Sequence, residues 1–425
     1  MRLTRPGARA TTVMGRACQV RAGRPAVLFG HPAPGARREG RGGTVVGARW
    51  RLLWLAVVTV LVAACTSSAG GASGEGPTSA STTPRPVPDT STTTTAPPPP
   101  TTTTTAPAPT IDPAVHTPPP ADPSAPGWLP TTPDFDMPNP LIVLTDEHYV
   151  SFATQTEWDG VTINVPFRLS TDLVTWSLPG DALPVLPPWA AHDVTWAPDV
   201  LQTEDGWVLF FTARLQGTEL QCIGHAVGDA LLGPYAAFDE PIVCPTERGG
   251  AIDPRSFVDL DGQAWLLWKT DDNWDLDREA PSSIVSQRLS SDGTALVGEP
   301  SVILDAAFGW EGHIVEAPDM VRGPDGRLWL LYSGGWFNQP HYGLGWAECA
   351  TPAGPCTRHG AGRFLGTNLQ GEGPGEGSIW FDRDGSTWIA YAPWAQRFRT
   401  PTPRPLALVR LGFGPDGPYL GSPQR

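Results

Sequence analysis

Lysine is almost missing from this chain: Lys269 is the only one, and every other basic side chain that is permanently charged is an arginine. We read that shortage as the compositional bias of a GC-rich genome rather than as a mechanism. The formal net charge is −14, and past residue 65 the chain is more acidic still, which argues against contact with nucleic acid or an anionic membrane surface. No long stretch carries a 3.6-residue apolar period, which argues against a helical bundle. No Cys-x-x-Cys occurs, which argues against a structural zinc site. Uninterrupted apolar runs are short. The run from Leu52 to Ala64 is too short to span a bilayer comfortably and follows Arg49 and Arg51.

That run is instead expected to be the apolar part of a signal peptide. Eleven arginines and a single acid, Glu39, lie in residues 1–65, and the segment ends Leu61-Val-Ala-Ala-Cys65. The ending resembles a bacterial lipobox with Cys65 as the lipidated residue; an ordinary cleavage site beside an incidental cysteine is the plain alternative. Residues 66–127 are mostly Thr, Pro, Ser and Ala, with too little apolar surface to bury, and are expected to form a disordered stalk. The organisation read from the sequence is therefore a signal segment over 1–65, a linker over 66–127 and one domain over 128–425. It places an exported protein on the outer face of the bacterial membrane, anchored through Cys65 alone, or secreted. No dimerisation surface is legible, and a monomer is expected.

Within the domain one phrase recurs: an acidic-glycine turn followed at once by an aromatic strand. It reads Glu204-Asp-Gly-Trp-Val-Leu-Phe-Phe211, then Leu260-Asp-Gly-Gln-Ala-Trp-Leu-Leu-Trp268. It returns as Pro324-Asp-Gly-Arg-Leu-Trp-Leu-Leu-Tyr332 and Arg383-Asp-Gly-Ser-Thr-Trp-Ile-Ala-Tyr391, with a degenerate first copy at Asp146-Glu-His-Tyr149. The turns at 147, 206, 262, 326 and 385 are 56 to 64 residues apart. Units of that size, each holding several strands, predict an all-β, five-bladed propeller. Cys222, Cys244, Cys349 and Cys356 are even in number in an exported chain. That favours two disulfides, paired locally as Cys222 with Cys244 and Cys349 with Cys356.

Of the 18 tryptophans, Trp265, Trp329 and Trp388 recur at one strand position and are expected to pack between blades. Trp196, Trp310 and Trp336 read as lying in irregular segments and are the better candidates for stacking on sugar faces. Two acids stand apart from solvated charge runs. Asp253, in Ala251-Ile-Asp-Pro-Arg255, and Glu316, in Ile314-Val-Glu-Ala-Pro318, each follow an apolar pair and precede a proline-fixed backbone. Both lie about ten residues before their own repeat's turn, so a propeller brings both to one end of its axis. Two carboxyl groups in one pocket are the minimum for glycoside hydrolysis, one of them held protonated as the acid.

Four segments together resemble glycoside hydrolase family 43. They are Ser170-Thr-Asp-Leu-Val-Thr-Trp176, Thr195-Trp-Ala-Pro-Asp199, Ala251-Ile-Asp-Pro-Arg-Ser-Phe257 and Val315-Glu-Ala-Pro-Asp319. The resemblance covers about residues 135–420 and implies an inverting hydrolase of arabinose- or xylose-containing oligo- or polysaccharides that needs no cofactor. It assigns Glu316 as general acid and Asp253 as the residue that orients it and tunes its pKa. The general base of the family is an Asp just before a proline in the first blade, and that position here is Asn139. An amide cannot take the water's proton near neutral pH, so Asp136 or Asp134 stands as a substitute, or the chain is a carbohydrate-binding propeller without full activity. A second departure is Glu376, where the family has a His that helps to hold a central water or calcium ion. Glu376 is left open as a substrate-side or cation-binding residue, as a replacement base, or as an axial residue that has merely drifted.

Overall fold

The computed structural model describes residues 127–129, 135–274, 280–307, 309–395 and 403–421. Cys65, the signal segment, the Thr/Pro-rich stalk up to residue 126 and Asp134 lie outside the described residues.

Five antiparallel sheets follow one another along the chain, and each is a blade. Blade one holds Leu141–Leu144, Tyr149–Phe152, Pro166–Ser170 and Gly180–Asp181. Blade two holds Ala190–Thr203, Gly206–Leu215, Gln221–Gly228 and Ala236–Ala237. Blade three runs through Ala251–Val258, Ala264–Thr270, Ser283–Leu289 and Leu296–Asp305, and blade four through Val315–Arg322, Leu328–Gly334, Gly343–Cys349 and Cys356–His359. Blade five holds Glu372–Phe381, Thr387–Trp394 and Ala407–Gly414. Its third strand is paired both by Gly417–Leu420 and by Trp128–Leu129 from before blade one. The five-bladed propeller expected from the repeats is therefore present.

The recurrent phrase forms the hairpin between the first and second strands of a blade. At Asp259–Gln263, Gly323–Arg327 and Asp382–Ser386 the first residue's N–H donates to the last residue's carbonyl, and its own carbonyl accepts from the turn glycine. Gly262, Gly326 and Gly385 have φ of 79°, 83° and 82°, which is why the turn ends in glycine. The residues after each turn alternate between the two neighbouring blades. Phe211 packs toward blade one and Phe210 toward blade three; Leu330 packs toward blade three and Leu331 toward blade five. Five apolar clusters fill the five blade-to-blade seams, and each fully buried Leu, Phe or Val contributes ~1.5–3 kcal/mol. Trp329 and Trp388 lie in those seams, with Trp265 packed against one of them.

Both disulfides form as expected. Cys222–Cys244 ties the third strand of blade two to the segment after its outer strand, and Cys349–Cys356 closes the outer hairpin of blade four. One placement differs from the sequence reading: Trp196 lies not in an irregular segment but in the inner strand of blade two, opposite Thr212.

Candidate active site

The inner edge of the propeller is built on one backbone irregularity repeated five times. Asn139, Ala197, Asp253, Ala317 and Glu376 have φ of 53°, 46°, 57°, 47° and 56°, a left-handed conformation that non-glycine residues seldom adopt. In blades two to five a shift of strand register falls at this residue. Such a bulge re-aims the side chains beside it. Each N–H turned out by the bulge donates to a side chain of the preceding blade. Ala197 donates to Thr154 Oγ1 at 3.1 Å, Asp253 to Thr212 Oγ1 at 3.1 Å and Glu376 to Ser333 Oγ at 2.8 Å. Ala317 donates to Asp253 Oδ2 at 2.9 Å, and Asn139 closes the ring onto Glu376 Oε2 at 2.9 Å.

The two kinds of acceptor follow from the second strand. Thr212 and Ser333 stand opposite the residue before the bulge in blades two and four, and the Thr154 N–H bonds the Pro138 carbonyl in blade one. The corresponding residues in blades three and five are Lys269, opposite Ile252, and Ala392, opposite Gly375. Neither side chain can accept a hydrogen bond. In those two blades the bulge residue's own carboxylate, Asp253 or Glu376, bridges to the next blade instead.

Glu316 precedes the bulge of blade four, so it stands beside the Asp253 carboxylate that bonds Ala317. Its Oε1 accepts from the Tyr342 hydroxyl at 2.7 Å, and its Oε2 lies 3.5 Å from Lys269 Nζ. Lys269, 2% exposed, donates to Asp271 Oδ1 at 2.7 Å. Burial raises the Asp253 carboxyl well above the usual carboxylate range, and the charge of Glu316 adds to it, against the opposing pull of Lys269 and the Ala317 N–H. Burial also raises Glu316; Lys269 and the Tyr342 hydroxyl pull it down without cancelling the effect. Burial alone would discharge Lys269, but Asp271, Glu316 and Asp253 outweigh it and hold the ammonium above the ordinary lysine range. Burial, with Glu316 and Glu376 nearby, keeps the Tyr342 hydroxyl protonated far into alkaline pH. The geometry thus gathers a carboxyl group held in its protonated form, a second one beside it, a cation and a phenol donor.

The other side of the axis is organised by Arg404, which reaches in from the segment before the last strand of blade five. It donates to Glu376 Oε1 at 2.6 Å and to the Ala392 carbonyl at 2.8 Å. Asn139 accepts from the Thr154 hydroxyl at 2.8 Å. Asp136 is exposed and accepts the Arg404 backbone N–H at 2.7 Å. The axial carboxylate, Glu376, is already paired with the Arg404 guanidinium, which makes it a poor ligand for a calcium ion.

The three tryptophans singled out as sugar ligands part company. Trp336 is 38% exposed and Phe337, beside it, 46%, just past the end of blade four's second strand. That end of the strand, opposite Val315 and Glu316, is the end that carries the carboxyl groups. Trp310 stacks on Tyr332 at 5.9 Å, and its ring lies where side chains at Gly334 and Gly345 would be. Trp196 holds in blade two the place that Glu316 holds in blade four, directly before the bulge. Lys269, Asp271, Tyr342 and Arg404 were not singled out in the sequence. Lys269 did carry a signal, as a lone charge ending the apolar strand Ala264–Thr270 in a chain with no other lysine.

A family model described as "Glycosyl hydrolases family 43" matches residues 131–419. The chain belongs to that family. A beta-D-galactofuranosidase of Aspergillus niger is 26% identical over 314 residues, covering 70% of this chain and 84% of the relative. An extracellular endo-alpha-(1->5)-L-arabinanase of Bacillus subtilis is 24% identical over 183 residues, covering 39% and 37% of the two chains. Among solved structures, a thermostable family-43 glycoside hydrolase superposes with a TM-score of 0.60 at 23% identity, covering 68% of this chain and 95% of that one.

Proposed function

We propose that the propeller hydrolyses glycosidic bonds in arabinose- or xylose-containing glycans with inversion at the anomeric carbon. The observation that supports this reading best is the state of Glu316. Its partly buried carboxyl is raised in pKa and receives the Tyr342 hydroxyl, beside a second raised carboxyl at Asp253. A carboxylic acid that keeps its proton toward neutral pH is what protonation of a leaving oxygen requires. In this reading Glu316 protonates the glycosidic oxygen, Asp253 fixes its proton affinity and direction, and a water enters from the opposite face of the sugar. Trp336 and Phe337 offer stacking surface at the mouth.

The relatives' names, a galactofuranosidase and an arabinanase, widen the sugars worth testing without choosing among them. Export is proposed as well, with Cys65 as the anchor, residues 66–127 as the stalk and 128–425 as the working domain. The two disulfides and the extracellular B. subtilis relative support it.

One observation favours a second reading. Asn139 stands at the bulge of blade one, where the family resemblance puts the base, and it carries an amide. A sugar-binding propeller without turnover follows if no other group takes the water's proton. Purified protein incubated with aryl arabinofuranosides, xylosides and galactofuranosides separates the two. Turnover that falls by ~10²–10⁴ in Glu316→Gln supports the hydrolase. Saturable glycan binding with no turnover in either protein supports the binding domain.

A further inference from the structure

The ring of bulges makes Glu376 in blade five the counterpart of Asp253 in blade three. Both have the left-handed backbone, with φ of 56° and 57°. Both N–H groups donate to a hydroxyl of the preceding blade, Ser333 and Thr212 respectively. Both carboxylates accept the next bulge N–H at 2.9 Å, and both blades lack a hydroxyl that could do so in their place. Asp253 thereby stands at the bulge of blade four, next to Glu316, and Glu376 stands at the bulge of blade one, next to Asn139. Glu376 is longer by one methylene, is 9% exposed, and sits close enough to Glu316 and Asp253 to act on both electrostatically. Among the described residues each of its oxygens has one hydrogen-bond partner, Arg404 or the Asn139 N–H, and a carboxylate oxygen can accept two hydrogen bonds.

We infer that Glu376 is the general base of this chain, the role having moved from the first-blade side chain to a fifth-blade carboxylate that leans onto the same spot. The inference rests on the hydrolase reading. As the oxygen of water bonds to the anomeric carbon, the bond from that carbon to the leaving oxygen breaks. Glu316 gives its proton to the leaving oxygen, and the attacking water gives one to Glu376. Proton exchange with solvent then restores both groups. Arg404 holds the Glu376 carboxylate in place, and Asn139 supplies a backbone donor.

The test compares the full-length wild type, Glu376→Gln and Glu316→Gln on an aryl glycoside with a good leaving group, with and without sodium azide. The expected result is a loss of ~10²–10⁴ in kcat for Glu376→Gln with its thermal transition intact. Azide, a nucleophile that needs no deprotonation, is expected to restore turnover and give a glycosyl azide of inverted configuration. Should Glu376→Gln lose its thermal transition, Glu376→Asp replaces it. That variant keeps the charge opposite Arg404 and retracts it by one methylene, so kcat is expected to fall at least tenfold with KM unchanged. Activity of either variant within tenfold of wild type overturns the inference. So does a loss that azide fails to restore, or a gain above tenfold for Asn139→Asp over wild type. Turnover of a second substrate with a poor, alkyl leaving group that survives Glu316→Gln overturns the hydrolase reading itself. A wild type that binds glycans and never turns them over removes both.

Discussion

Asp253 carries two duties that a single substitution can separate. Its Oδ2 accepts the Ala317 N–H across the seam between blades three and four, and its raised carboxyl sits against Glu316. Asp253→Asn keeps an acceptor for that N–H, whereas Asp253→Ala leaves it unsatisfied. We expect the alanine variant to lose ~1–3 kcal/mol in denaturant unfolding and the asparagine variant to lose far less. Activity should fall in both. For pH the sign is fixed by the direction of the shift. A carboxyl raised by burial and a neighbouring charge keeps its proton to higher pH, and the proposed general acid, Glu316, is lost as pH rises through that raised value. The charges that set Glu316 are Lys269, which lowers its proton affinity, and Glu376 and Asp271, which raise it. The alkaline limb of kcat/KM should therefore move to lower pH in Asp271→Asn, as read from a pH–rate profile. Lys269 acts in the opposite sense on the same group, so the only lysine of the chain stands beside the proposed acid.

The inner strand of blade five is shaped by what it must let past. Gly375 precedes Glu376, and a Cβ there would lie 1.8 Å from the Tyr342 ring, whose hydroxyl holds Glu316. Gly375→Ala should displace that ring and cost ~1–3 kcal/mol of stability. It should also reduce kcat more than KM, because the acid loses its donor; thermal melts and steady-state kinetics check both. The same strand separates what was legible in the sequence from what was not. The turn glycines and the aromatic strands after them repeat in register, so the blades could be counted. Asp253 and Glu316 stand out in the sequence because apolar neighbours and a following proline mark a bulge within a short window, and the structure brings the two together. Tyr342 and Arg404 carry no such mark: each lies in a connection between strands and reaches the axis only through packing with another element. Trp196 was misplaced because the proline after Ala197 reads as a break, whereas here it lies inside a bulged strand that continues to Thr203.

Closure of the whole propeller depends on both ends of the domain. The third strand of blade five is covered by Gly417–Leu420 and by Trp128–Leu129, and the Arg410 N–H donates to the Gly127 carbonyl at 2.8 Å. A chain that starts at residue 131 leaves that part of the edge unpaired. It should unfold at a lower temperature than one starting at residue 127, with the sugar site intact below the transition; calorimetry and substrate kinetics on the two proteins decide it. At the centre, closure has another consequence. Asp253 and Glu376 are links in the hoop of five inter-blade bonds, so a descendant that abandoned catalysis would still need an acceptor side chain at both places. Glu316 accepts none of those five bonds; its partners are Tyr342 of its own blade and Lys269 of blade three. On the proposed reading, relaxed selection would erase Glu316 before the hoop acids, so of the three acids Glu316 would report most directly on chemistry.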